Sequence, residues 1–99
     1  MINERTNLFY MANLGSEFMR VFSAYEKKDM IAVHTASIRA IAIADTLLKN
    51  KKSNAEEKEI TILKEILTNF QNNELINSVR KNDIEAYFQP FALRMMSLL

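Results

Sequence analysis

The chain's one histidine, His34, lies in the stretch VHTASIRA, residues 33–40, and an aspartate, Asp45, follows it eleven residues later. A histidine on a helix is a candidate phosphoacceptor, and a carboxylate beside it would be a candidate orienting group. Eleven residues is close to three helical turns, so His34 and Asp45 share a side but stand about 16 Å apart along the axis, too far for contact. Glu56, Glu57 and Glu59 form the other notable cluster. At the start of a helix they complement its dipole rather than hold a metal. Di-iron bundles combine carboxylates with Glu-x-x-His pairs, and no such pair occurs here. There is no phosphate loop, no Ser/His/Asp signature and no His-Glu-x-x-His motif. The expectation is a protein that is not an enzyme, with no catalytic residue, metal or cofactor.

VHTASIRA resembles the His-Thr-Leu-Lys-Gly pattern of histidine phosphotransfer domains, small four-helix bundles that carry their histidine on a helix. The shared residues are His34 and Thr35. That family usually has a lysine three residues after the histidine and a small residue next; here Ser37 and Ile38 occupy those places, and the nearest cation is Arg39. The resemblance implies His34 as phosphoacceptor in an alternative, signalling reading. Helical RNases of the HEPN type share the expected architecture, but their R-x4-6-H motif is absent.

The elements that position these residues are read from periodicity. AIAIA, residues 40–44, alternates like a strand, but Ala32, Ala36, Ala40 and Ala44 recur every four residues, which demands a helix. The four alanines form a shallow ridge on which a second helix can pack closely. Ile31, Ile38, Ile41 and Leu48 form an adjacent apolar stripe, which puts His34 at the border of the core; Thr35, Arg39, Ala42, Thr46 and Lys49 make the solvent face. Leu8, Met11, Gly15, Phe18, Phe22 and Tyr25 share one stripe of an earlier helix, with Gly15 placed to let a neighbour approach. Lys27-Lys28 ends that helix and Asp29 caps the next. KNKKSN is a polar linker whose Ser53 and Glu56 fit a capping box. Ile60, Leu63, Leu67 and Phe70 carry a third helix, and Leu75 and Val79 continue it only after a phase shift across residues 71–73. RKND, residues 80–83, repeats the basic stop and Asp cap of residues 26–29 ahead of Ile84, Phe88, Phe91, Met95 and Leu98. The fold expected is an all-α, antiparallel up-down-up-down four-helix bundle, a single domain over 1–99. Its helices span about 4–27, 30–49, 55–80 with a possible break at 71–73, and 83–98 with a kink or restart near Pro90.

Composition agrees. One glycine and one proline in 99 residues leave little turn chemistry for a multi-stranded fold. The net charge of +1 is evenly distributed, with six basic and five acidic residues in 1–50 and seven of each afterwards, so no segment is built to seek nucleic acid. With no cysteine there is no disulfide frame or thiolate chemistry. MINERTNLFY lacks the order of a signal peptide, and Arg39 and Asp45 interrupt the longest apolar window, so a cytoplasmic protein without a membrane partner is expected.

From Phe91 to Leu99 apolar residues point almost all round a helix, as in a helix covered on all sides. The function expected is therefore a non-catalytic protein–protein interaction module, homodimeric, of an adaptor, regulatory, immunity-like or chaperone-like kind, whose partner is another protein or a second copy. Its interface is expected at Ala32, Ala36, Ala40, Ala44, Phe91, Leu93, Met95, Met96 and Leu98. A second alternative uses Lys27, Lys28, Arg80 and Lys81, gathered at one bundle end, to touch nucleic acid phosphates. Glu26, Asp29, Asp83 and Glu85 sit among those cations, and no aromatic alternates with them to stack bases.

Overall fold

The computed structural model describes residues 4–51, 53–72 and 80–97. Four helices make up the described chain: α1 (Glu4–Glu26), α2 (Met30–Lys49), α3 (Asn54–Gln71) and α4 (Lys81–Ser97). No strand occurs among the described residues. α1 packs against α2 on one side and α4 on the other, and α2 packs against α3.

Each boundary has a local cause. α1 stops in a Schellman turn: Asp29 N–H donates to Ala24 O (2.9 Å) and Lys28 N–H to Tyr25 O (3.0 Å), with Lys28 in the left-handed region at φ 60°. Asp29 then accepts from Ala32 N–H at 3.1 Å and starts α2. Ser53 Oγ does the same for α3, accepting from Glu56 N–H at 3.1 Å. α3 ends at Gln71, where Asn72 N–H returns to Thr68 O, at the phase shift; the part of the expected span over 73–79, with Leu75 and Val79, lies outside the described residues.

α4 begins at Lys81, earlier than Asp83 as a cap would allow. Arg80 O accepts from the amides of Asp83 and Ile84, and Asp83 sits in the first turn, where its charge suits the helix dipole. The helix runs through Pro90 without the expected restart. Proline removes the bond to the carbonyl four residues back, and both Pro90 and Ala86 are exposed, so water can satisfy the freed carbonyl.

The core is one continuous cluster centred on α1, whose Met11, Leu14, Phe18, Val21 and Phe22 are all buried. Phe18 meets Phe88 of α4 with ring centroids 5.5 Å apart, and Phe22 meets Phe70 of α3 edge-to-face at 5.3 Å. Gly15 lies under Phe88 so closely that a Cβ added there would be 2.8 Å from that residue's Cβ and Cγ. The glycine thus permits the α1–α4 approach. Across the α3–α4 side, Tyr87 Oη donates to Glu59 Oε2 at 3.2 Å.

Candidate functional site

The alanine ridge does not face outward. Ala36, Ala40 and Ala44 are buried within this chain, together with Val33, Ser37 and Leu47, and Ala32 is half-buried. The expected interface must be corrected accordingly: these alanines bring α2 against the chain's own neighbouring helices, and no partner can reach Ala36, Ala40 or Ala44.

Because that face points inward, the isoleucine stripe is carried outward. Ile31 is 83% exposed and Ile38 is 48% exposed, while Ile41 and Leu48 are half-buried. His34, between Ile31 and Ile38, is exposed as well, not at the core border. Val33 and Ser37, the residues before His34 and Ile38, take the inner positions. α2 is therefore apolar inside and in part apolar outside. Its length and mean hydropathy of 1.4 are sufficient to cross a membrane, judged by length and composition alone.

Two of the charges on α2, Arg39 and Asp45, are tied to its neighbours. Asp45 Oδ1 pairs with Lys64 Nζ of α3 at 2.6 Å. Arg39 Nε donates to Glu17 Oε2 at 2.6 Å, and the other oxygen of Glu17 takes Arg20 Nη1. Glu17 is only 4% exposed, so a charged carboxylate is held within the α1–α2 seam by two guanidinium groups. Sequence periodicity overlooked Glu17, since a lone Glu among apolar positions reads as solvent-facing; its only signal is a place three residues before Arg20.

On α4, Leu93 is 57% and Met96 66% exposed, whereas Phe91 and Met95 are half-buried, the former packed against the core. Leu98 lies outside the described residues. The exposed pair and the half-buried pair occupy different faces, so α4 is covered by α1 on one side only.

At the end of the bundle that holds the α1–α2 turn, Lys81 Nζ lies 3.3 Å from Glu26 Oε1. That contact brings Lys27, Lys28, Arg80 and Lys81 to one end, where Glu26 offsets one of them. Glu57 pairs with Lys51 at 2.9 Å, and no group of three or more His, Cys, Asp or Glu side chains that could hold a metal occurs among the described residues. Tyr87 has its pKa pushed up to about 12, chiefly by burial, with the negative charge of Glu59 and the hydrogen bond to it adding to the effect.

No family model, no curated protein and no solved structure matches this chain.

Proposed function

We propose that the protein is a non-catalytic interaction module that works by binding a second copy of itself, with the outer face of α2 at the contact. The observation that carries this reading is Ile31 at 83% exposure and Ile38 at 48%, one turn to either side of His34, on a helix whose opposite face is already buried. A helix apolar on both faces is ordinarily covered on both. The exposed Leu93 and Met96 of α4 supply a second apolar area on which the contact can draw. Light scattering at micromolar concentration tests the reading. A mass near twice the 11.5 kDa monomer, reduced to the monomer by Ile31→Glu with Ile38→Glu, is expected. A monomer for the unaltered chain, unchanged by those substitutions or by Leu93→Glu, overturns it.

A second reading rests on the exposure of His34, whose ring is open to a phosphodonor between two apolar side chains. It predicts acid-labile phosphate on the chain after incubation with a small phosphodonor, lost in His34→Gln. An unmodified chain ends that reading and leaves the dimer untouched.

A further inference from the structure

A groove of about 500 Å³ follows the α1–α2 seam next to the Schellman turn, and its lining includes Arg20, Lys27 and Arg39 over a floor of Ala24, Ala32 and Ala36. We propose that this groove binds the phosphate group of a small phosphorylated ligand. The argument begins with charge. Glu17 accepts from both arginines, yet one carboxylate neutralises only one guanidinium, so the triad keeps a net positive charge at the groove. Lys27 adds another. Asp29, the acidic residue in the lining, caps Ala32 N–H and takes one of these charges back, so that Arg20, Arg39 and Lys27 against Glu17 and Asp29 leave a net charge of +1 at the groove. Among the described residues no other carboxylate pairs with Arg20, Arg39 or Lys27.

Geometry supplies the second half. A guanidinium has five N–H donors in a fixed fork, and each arginine gives Glu17 only one. Both side chains belong to the groove's lining and are more than half exposed, 65% for Arg20 and 51% for Arg39, so their remaining donors are free to turn to a ligand there. Glu17, anchored in the seam, holds the two forks from below. An oxyanion therefore meets donors that are already positioned, which lowers the ordering cost of binding. Ala24, Ala32 and Ala36 are small and leave room for a tetrahedral group, with Ile31 and Thr35 of α2 completing the wall, and a second anion relieves the repulsion between guanidinium groups sharing one carboxylate.

The test is an amide NMR titration of the full chain with sodium pyrophosphate, against sodium chloride at matched ionic strength. Saturable shifts at the amides of Ala24, Ala32 and Ala36 are expected. Lys27→Ala, which removes an exposed charge outside the triad, should weaken binding about fivefold, and Arg20→Gln should abolish it. Should Arg20→Gln unfold the chain, Lys27→Ala alone still decides. Shifts no larger than with chloride, shifts centred on Lys49, Lys51 and Lys58, or an affinity unchanged in Lys27→Ala each overturn the proposal.

Discussion

Gly15→Ala tests the packing that brings α4 onto α1. In an exposed helix interior the exchange stabilises by about 1 kcal/mol, because alanine loses less backbone freedom on folding. At Gly15 the new methyl would stand 2.8 Å from Phe88 Cβ and Cγ and 3.1 Å from Cδ1. Relaxed carbon–carbon contacts lie at about 3.5–4.0 Å, so α4 must retreat by roughly 0.7–1.2 Å. Rotating the Phe88 ring cannot clear the contact, since its Cβ is fixed to the helix backbone. Overpacking of this kind costs about 1–3 kcal/mol, which outweighs the helix-propensity gain and leaves a net loss of about 1 kcal/mol. For a chain of this size that lowers Tm by about 4–8 °C. Urea unfolding followed by far-UV circular dichroism measures it, with Ser16→Ala, an exposed neighbour on the same helix, as the control expected to be neutral or slightly stabilising. If Gly15→Ala instead raises stability by about 1 kcal/mol, α4 does not approach α1 as described.

Lys28 pays the left-handed backbone penalty at φ 60°, so Lys28→Gly should raise stability by about 1 kcal/mol, seen as a higher urea midpoint at unchanged slope; a drop would show that the Schellman turn is not formed. Ser37 is 0% exposed and its Oγ has no hydrogen-bond partner among the described residues, so Ser37→Ala should stabilise by about 1 kcal/mol in the same assay, and a loss would mean the hydroxyl has a partner. Tyr87 keeps its proton up to about pH 12 in the folded chain but releases it near pH 10 when unfolded. The unfolded state then binds fewer protons, so this contribution to stability is whole below pH 10 and lost as pH rises toward 12. An alkaline tyrosinate titration should show a late absorbance step that Tyr87→Phe removes; its persistence in the variant would refute the assignment.

Much of the bundle was legible from local rules. The caps at Asp29 and Ser53, the α1 stripe from Leu8 to Phe22 and the α3 stripe from Ile60 to Phe70 each depend on residues a few positions apart on one helix, where chain chemistry and helical period suffice. The end of α3 at Gln71 was foreshadowed by the phase shift, though not decided by it. The continuity of α4 through Pro90 was not legible, because it depends on which side of the helix meets water.

The candidate sites were less legible, for the same reason. α2 carries two apolar stripes that periodicity alone ranks equally, one of alanines and one of isoleucines. α2 lies against α1 and α3 through the alanines, with Val33 and Leu47 at either end, and this places Ile31, His34 and Ile38 outside. The pairing of Glu17 with Arg39, 22 residues away on another helix, was likewise outside any spacing rule. The sequence by itself determined that there are four helices and where three of their starts and the Gly15 contact face lie, because caps and stripes are local. Which face of each helix is turned inward, and hence which residues remain for a partner or ligand, was decided only by the tertiary structure, because burial belongs to the helix and its neighbours together.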